Sequence, residues 1–190
     1  VTQAVCLVGG RGTRLGSLTD HTPKPMLEVG GRPFLDYIVH EARRFGLRQL
    51  LLLTGYKSSL IENRYRGCRF GDLEVDVVAE PHPAGTAGAL VNATDYLNDE
   101  FFLLNGDSYF DLNWLALAPS LERNDWLLHA ALAHGIEGSR YGRVDLASDG
   151  RIHGFAPAGT SSQPINAGLY LVRRSLLAEI DRKSTRLNSS

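Results

Sequence analysis

Short apolar runs recur through the first half of the chain and predict buried strands. The run from Gln3 to Val8 stops at a pair of glycines, as a strand that enters a loop does. Gln49 to Thr54 holds four consecutive leucines, a pattern typical of a strand buried on both faces. Leu73 to Ala79 places apolar and acidic residues in alternation, which is the period of a strand. Phe101 to Leu104 is the next apolar run, and we predict a strand there too.

Helical spacing of apolar residues marks the segments between these strands. From Pro33 to Ala42 the apolar residues recur at helical spacing, and Gly46 follows where a helix cap is expected. Further helices are predicted around Ser58 to Tyr65 and from Ala87 to Leu97. Strands that alternate with helices are typical of an open parallel sheet with helices on its faces.

The second half predicts more strands and fewer helices. Its strand-like segments, with a tight hairpin at Asp149-Gly150, are Trp126 to Ala133, Arg143 to Leu146, Arg151 to Phe155 and Ala167 to Val172. We therefore predict an α/β fold, a Rossmann-like three-layer sandwich with a mixed, mainly parallel central sheet.

Composition excludes several classes of partner. The chain has 190 residues, of which 20 are basic and 21 acidic, so its formal net charge is -1. This balance argues against a broad surface for nucleic acid or an acidic membrane. No apolar run approaches the roughly 18 residues of a membrane span. Cys6 and Cys68 form no CxxC or zinc-ligand pattern, so we expect reduced thiols in a cytoplasmic protein.

The segment Gly9 to Leu15, with the sequence Gly-Gly-Arg-Gly-Thr-Arg-Leu, is the strongest candidate for an anion site. Glycines after a strand let the backbone approach an anion closely, and successive N–H groups can hold phosphate oxygens. It is not a Walker loop, because no Gly-Lys-Ser/Thr follows. It is not the dinucleotide-binding motif either, because Leu15 stands at the position of the third glycine.

Two cations and one carboxylate are candidate partners of this segment. Arg14 lies within it, and Lys24 lies between two prolines that restrict its backbone. Asp107 follows the strand predicted at Phe101 to Leu104, at the end where parallel sheets bind ligands, and its oxygens suit Mg²⁺. The alternatives are solvated surface charges for the cations and an Asn-Gly-Asp turn for Asp107.

Other loops carry weaker signals. Small residues between Glu80 and Gly88 would let a flat base lie against the backbone, with Thr86 available for a hydrogen bond. Two further motifs carry a still weaker signal, because each could be simply a turn or the start of a strand: Tyr141-Gly142 and Asn166-Ala167-Gly168.

Five motifs in this order resemble the sugar-1-phosphate nucleotidylyltransferase family: Gly9 to Leu15, Pro23-Lys24-Pro25-Met26-Leu27, Gly31-Arg32-Pro33, Gly85-Thr86-Ala87-Gly88 and Asn105-Gly106-Asp107. The resemblance covers nearly all of residues 3 to 172. Within the family the chain is most similar to the D-glycero-D-manno-heptose 1-phosphate guanylyltransferases, and the mannose-1-phosphate guanylyltransferases follow closely. It implies the nucleotide-diphospho-sugar transferase fold.

The resemblance also implies a reaction, in which a nucleoside triphosphate, with GTP favoured, and a sugar 1-phosphate give a nucleotide sugar and pyrophosphate. It assigns catalysis to Arg14, Lys24 and Asp107, with Mg²⁺ on Asp107. It assigns nucleotide binding to Gly9, Gly10, Arg11, Gly12, Thr13, Glu80, Gly85 and Thr86. It assigns sugar-phosphate binding to Tyr141, Gly142 and Asn166. Base and sugar choice stay open, as does the oligomeric state, a homo-oligomer included.

The sequence departs from the family pattern at two places. The family has Phe-x-Glu-Lys where this chain has Phe155-Ala156-Pro157-Ala158, so a cation for the sugar phosphate is missing. A second metal-binding Asp would follow the last predicted strand, and we expect a C-terminally truncated domain without it. A catalytically silent nucleotide-binding homologue is therefore an alternative. A Rossmann dehydrogenase is a third reading, disfavoured by Leu15.

Domain boundaries follow from these assignments. Residues 1–180 are predicted to form one domain, since no Pro/Ser-rich linker divides them. Within it, residues 1–110 would bind nucleotide and residues 111–180 would bind the sugar phosphate. Residues 181–190 are polar, and we expect a non-native or disordered tail, with a frayed native terminus as the alternative.

Overall fold

A computed structural model describes residues 1–82, 85–122, 126–134, 142–156 and 163–180. Its strands are β1 (Gln3–Leu7), β2 (Glu28–Val29), β3 (Arg32–Pro33), β4 (Gln49–Thr54), β5 (Cys68–Phe70), β6 (Leu73–Ala79), β7 (Glu100–Asn105), β8 (Leu128–Ala133), β9 (Arg143–Leu146), β10 (Ile152–Ala156) and β11 (Ile165–Arg173). Its α-helices are α1 (Phe34–Arg44), α2 (Ser58–Tyr65) and α3 (Gly85–Asn92). Its 3-10 segments are Thr13–Thr19, Lys24–Met26, Thr94–Tyr96 and Trp114–Glu122. The predicted tail at 181–190 lies outside the described residues.

One mixed sheet organises the described part of the chain. Its strands lie in the order β10-β9-β11-β7-β1-β4-β6-β5, and β8 pairs with β11. The four central strands β7, β1, β4 and β6 are parallel, and β11 joins β7 in the antiparallel direction. The strands predicted in the second half therefore extend the sheet beyond β7. The predicted α/β fold with a mixed central sheet is confirmed.

The central strands bury both of their faces. In β4, Leu50 and Leu52 pack into one hydrophobic cluster, which includes residues of α1 and α2. Leu51 and Leu53 pack into a second cluster, which includes residues of α3. The sheet therefore has helices on both sides, as the predicted three-layer sandwich requires, and the continuous leucine run reflects burial in both layers.

In helix α1 the apolar residues that recur at helical spacing are the ones buried in the core. Leu35, Ile38, Val39 and Ala42 are buried against the sheet. Gly46 follows the helix with a φ of 72°, and its N–H donates to the carbonyl of Arg43. A left-handed residue at this position suits glycine, so the predicted helix and its cap are both confirmed.

The helix predicted from Ala87 to Leu97 is shorter than expected. Helix α3 ends at Asn92, and a 3-10 turn covers Thr94–Tyr96. The hydroxyl of Thr94 donates to the carbonyl of Val91 at 2.7 Å. Such a side-chain bond competes with the helical ladder, which accounts for the change of geometry at this point.

Several short elements were not predicted. β2 and β3 form a hairpin of two residues per strand, and β5 has three residues. The 3-10 segment Trp114–Glu122 contains Pro119, which cannot donate a backbone hydrogen bond. Strands this short carry too few alternations for a periodic signal to be seen.

The end of β7 passes very close to the end of β1. A Cβ atom at Gly106 would lie 2.5 Å from Cγ1 of Val8 and 2.6 Å from the carbonyl oxygen of Leu7. The N–H of Gly106 also donates to that oxygen at 2.9 Å. Only glycine permits this approach, which places the following Asp107 beside the loop that leaves β1.

We expect Gly106→Ala to destabilise the fold by about 1 to 3 kcal/mol, because its methyl group would overlap backbone and a buried side chain. Urea unfolding of the variant and the parent chain measures this difference. Gly10→Ala is the matched control, because a Cβ there has no neighbouring heavy atom within 4 Å. Equal unfolding midpoints for Gly106→Ala and the parent chain would contradict the close approach.

Candidate functional site

Four loops meet at the carboxyl edge of the parallel strands. Gly9 follows β1, Gly55 follows β4, Glu80 follows β6 and Asp107 follows β7. Parallel strands all end at one edge of their sheet, and ligands bind in the crevice outside that edge. The candidate residues of the first half, although far apart in sequence, therefore belong to one region of the surface.

The glycine segment is shaped by its contact with Lys24. Gly12 has a φ of 65°, which favours glycine. A Cβ atom on Gly12 would lie 3.0 Å from Cβ of Lys24 and 3.2 Å from Cγ2 of Thr19. A Cβ on Gly10 would instead meet open space, which leaves room for a ligand against the backbone. The segment therefore lies against Lys24 on one side and is open on the other.

Thr13 and Arg14 begin the 3-10 segment that follows these glycines. Their side chains lie outside the described part of the structure, so the predicted position of the Arg14 guanidinium stays a prediction. The Arg11 side chain is exposed, and its guanidinium lies 5.5 Å from the centre of the Tyr56 ring.

Lys24 and Asp107 form an ion pair across the edge of the sheet. Nζ of Lys24 donates to Oδ2 of Asp107 at 2.7 Å, although the residues are 83 positions apart. Their side chains are 34% and 48% exposed, so both are accessible to a ligand. The buried Pro25 anchors the turn that carries Lys24. The structure therefore brings together two of the three residues to which the resemblance assigns catalysis.

A buried thiol lies beneath this ion pair. Cys6 is fully buried in β1, and its sulfur would lie 3.2 Å from a Cβ placed on Gly106. Burial raises the pKa of the Cys6 thiol well above its ordinary value, and the negative charge of Asp107 raises it further. Cys6 therefore stays a neutral, apolar support for the edge of the sheet.

Glu80 lies close to the glycine segment. A Cβ on Gly9 would lie 3.3 Å from Oε1 of Glu80 and 3.2 Å from the backbone nitrogen of Gly55. Gly85 opens α3 with a φ of 70°, and Thr86 is exposed in the first turn. The contacts thus join Glu80 to Gly9, whereas Gly85 and Thr86 lie on the helix that follows in the chain.

The residues predicted for the sugar side also come together. The N–H of Asn166 donates to the carbonyl of Gly142 at 3.5 Å, and its Oδ1 accepts from the N–H of Gly168 at 2.9 Å. A Cβ on Gly168 would lie 3.0 Å from Nδ2 of Asn105, two residues before Asp107. Tyr141 lies outside the described residues. The Gly142–Asn166 pair is therefore linked through Gly168 to Asn105, at the end of the strand that precedes Asp107.

That loop is attached to helix α1 by a charged cluster that the sequence did not indicate. Arg44 donates to the buried Glu41 at 2.6 Å, and the same guanidinium lies 3.9 Å from Asp111. Burial raises the pKa of Tyr109, and the carboxylate of Glu41 raises it further. The cluster connects the segment after Asp107 to the body of the fold.

Tyr56 contacts the glycine segment from the end of β4, Lys57 contacts Asp20 a few residues beyond it, and sequence reasoning missed both. The N–H of Tyr56 donates to the carbonyl of Gly9 at 3.2 Å. Nζ of Lys57 donates to the carbonyl of Asp20. A signal was present in the sequence, because Gly55-Tyr56-Lys57 follows a buried strand just as the glycine segment follows β1.

A wide concavity among the described residues lies away from this edge. It has a volume of about 820 Å³ and is lined in part by Val1, Asn98, Glu100 and Arg173, at the amino edge of β7. Arg173 forms an ion pair with Glu100 inside it. None of the predicted site residues lines this depression.

Comparison with known proteins identifies the class. The model of the nucleotidyl transferase family matches residues 3–190, and the chain belongs to this family. The HddC protein of Yersinia pseudotuberculosis, solved as a complex with GMP-PN, superposes with a TM-score of 0.82 at 28% identity. The alignment covers 93% of this chain and 79% of HddC.

Similar sequences include guanylyltransferases of two kinds. The D-glycero-alpha-D-manno-heptose 1-phosphate guanylyltransferase of Campylobacter jejuni is 30% identical, over 92% of this chain and 77% of that protein. Its counterpart in Aneurinibacillus thermoaerophilus is 35% identical, over 92% and 76%. The mannose-1-phosphate guanylyltransferase of Mycobacterium tuberculosis is 34% identical, over 93% and 50%.

We expect iodoacetamide at pH 8 to modify Cys68 in the native chain and to leave Cys6 unmodified. Cys6 is buried and its raised pKa suppresses the reactive thiolate, whereas Cys68 is only half-buried. Mass spectrometry of the labelled peptides measures both sites, and denaturant should expose Cys6. Cys68→Ser is the control and should take no label when native. Equal native labelling of the two cysteines would contradict the burial of Cys6.

Proposed function

We propose that this protein transfers a nucleoside monophosphate from a nucleoside triphosphate to a sugar 1-phosphate and releases pyrophosphate. The observation that carries the proposal is the 2.7 Å contact of Lys24 with Asp107 at the carboxyl edge, with Gly12 packed on the Lys24 side chain. A cation, a carboxylate and an open glycine segment in one place are what a triphosphate bound with a metal ion requires.

The proposed chemical step needs no general base. An oxygen of the sugar phosphate is already ionised and attacks the α-phosphorus in line. A new O–P bond forms as the bond from the α-phosphorus to the bridging oxygen breaks, and the electron pair leaves with pyrophosphate. The protein contributes by positioning the two substrates and by stabilising the negative charge of the transition state.

The glycine segment and two cations have proposed parts in this step. The backbone N–H groups of Gly9 to Thr13 would hold the nucleotide phosphates. Lys24 and Arg14 would stabilise the charge that develops on the reacting phosphoryl group and on the leaving pyrophosphate. Support for Lys24 comes from its fixed position between the glycine segment and Asp107.

Asp107 is the proposed ligand of Mg²⁺. Its carboxylate is 48% exposed and lies at the edge where the phosphates would bind, and Mg²⁺ commonly takes one or two carboxylates together with substrate phosphates. No cluster of three candidate metal ligands occurs within the described residues. The donor set therefore fits an ion shared with substrate, and such an ion would neutralise phosphate charge.

The remaining predicted residues would surround the base and the sugar. Glu80, Gly85 and Thr86 would border the base, since Glu80 touches the glycine segment from β6. The Gly142–Asn166 pair, with Tyr141, would line the sugar phosphate. Support for this role comes from Gly168, which bonds to Asn166 and lies against Asn105, two residues before the proposed metal ligand.

Guanylyl transfer to a heptose 1-phosphate is the proposed specificity. It rests on the similarity to two heptose 1-phosphate guanylyltransferases and on the GMP-PN complex of HddC. A mannose 1-phosphate acceptor is the second candidate, because a mannose-1-phosphate guanylyltransferase has comparable identity. A catalytically silent nucleotide-binding role is the third, because Ala158 stands where the family has lysine.

A substrate panel tests these choices. We expect pyrophosphate release in Mg²⁺ to be fastest with GTP and heptose 1-phosphate, because base and sugar pockets discriminate by a few kcal/mol. The panel replaces GTP with ATP, CTP, UTP or dTTP, and the acceptor with mannose 1-phosphate or glucose 1-phosphate. Stabilisation by GTP in a thermal shift assay without pyrophosphate release would favour the silent homologue. Neither binding nor release with any pair would contradict the proposal.

We expect Lys24→Ala to keep the fold and to reduce kcat roughly a hundredfold or more, the effect of removing one contact to a developing charge. Its half-exposed ion pair contributes less than about 1 kcal/mol to folding, so the unfolding midpoint should change little. Steady-state pyrophosphate release and urea unfolding measure the two quantities.

Arg69→Ala is the matched control for Lys24→Ala. Arg69 forms an exposed ion pair with Glu74 at 2.9 Å on β5, away from the carboxyl edge of the sheet. Its removal deletes one cation and should leave kcat unchanged. Equal turnover by Lys24→Ala and the parent chain would remove Lys24 from the mechanism.

A further inference from the structure

We infer that Tyr56 and Lys57 are positioning residues that hold the segment from Gly9 to Asp20 in the shape that binds nucleotide phosphates. The inference rests on the proposed function of that segment. It assigns a role to the loop after β4, which contributes none of the residues predicted to touch substrate.

Tyr56 holds both ends of the segment. Its backbone N–H donates to the carbonyl of Gly9 at 3.2 Å. Its hydroxyl lies 3.3 Å from the carbonyl oxygen of Thr19 and 3.2 Å from that of Asp20, and donates to this pair. One residue thus fixes the distance between the start and the end of the segment.

Lys57 adds a second attachment from a strained backbone. Its φ is 52°, and it is the only residue other than glycine with a positive φ among those the structure describes. A lysine in this conformation is energetically unfavourable unless its surroundings hold it there. Its Nζ donates to the carbonyl of Asp20, so the strained turn directs the ammonium group onto the segment.

Cations also flank the Tyr56 ring. The Arg11 guanidinium lies 5.5 Å from the ring centre and the Lys57 ammonium lies 5.4 Å from it. A cation over an aromatic face is attracted by the ring, so the ring restricts where the Arg11 side chain points. The same tyrosine therefore orders the backbone of the segment and one of its cations.

The segment needs this external support. Within it, Gly16 interrupts the 3-10 segment with a φ of 57°, and Leu18 is 64% exposed. Thr19 is buried and donates to the carbonyl of Gly16 at 3.1 Å. Since little of the segment packs into a core, contacts from Tyr56 and Lys57 reduce the entropy lost when the phosphates bind.

Hydrogen exchange and nucleotide binding test the inference on the full chain. We expect Tyr56→Phe and Lys57→Met to speed amide exchange in residues 12–20 and to weaken GTP binding in Mg²⁺ about fivefold each, the effect of one lost hydrogen bond. Exchange in β4 and the urea midpoint should stay unchanged. Lys57→Arg should restore most of the affinity, because it keeps a cationic donor.

Tyr96→Phe is the matched control, because Tyr96 is 55% exposed and lies in the 3-10 turn after α3. It should change neither exchange in residues 12–20 nor GTP affinity. Unchanged exchange in Tyr56→Phe would overturn the inference, and so would faster exchange with unchanged GTP affinity.

Different results would contradict the proposed function and the positioning role of Tyr56 and Lys57. If the parent chain binds no nucleoside triphosphate, the proposed function fails and the nucleotide role of Tyr56 and Lys57 fails with it, whatever the exchange result. If the parent chain binds GTP and releases pyrophosphate but both variants bind GTP equally well, the proposed function stands and the positioning role is wrong.

Discussion

Parallel pairing of β1 with β4 and with β7 is the constraint on which the candidate site depends. It brings the ends of these strands to one edge, so loops that are distant in sequence become neighbours. Lys24 reaches Asp107 across 83 positions for this reason. Gly106 completes the arrangement, since it alone lets the end of β7 lie directly on the carbonyl of Leu7.

The charges at this edge are placed by the fold and contribute little to its stability. The Lys24–Asp107 pair is partly exposed, and exposed pairs contribute less than about 1 kcal/mol. Stability comes instead from the two apolar layers on either side of the leucines of β4. A cation and a carboxylate whose pairing contributes little to stability can exchange that pairing for contacts with a ligand, as the proposed reaction requires.

Much of the fold could be predicted because its signals are local. The leucine run of β4, the alternation of β6 and the helical stripe of α1 each reflect the burial of residues close in sequence. The same holds for the turn at Gly46. The local pattern failed at Thr94, because the spacing of apolar residues does not record a hydroxyl that donates to the carbonyl of Val91 three residues before it.

For the site, the sequence by itself determined the candidates for binding phosphate and metal: a glycine segment after β1, a lysine between prolines and an aspartate after β7. Only the tertiary structure decided that Lys24 bonds to Asp107, that Glu80 lies close to Gly9, and that Tyr56 and Lys57 bond to the segment from Gly9 to Asp20. The physical reason is that these contacts join residues on different strands, and strand pairing depends on packing across the whole sheet. The sequence shows which residue types are present, whereas the pairing of the strands determines which of them come into contact.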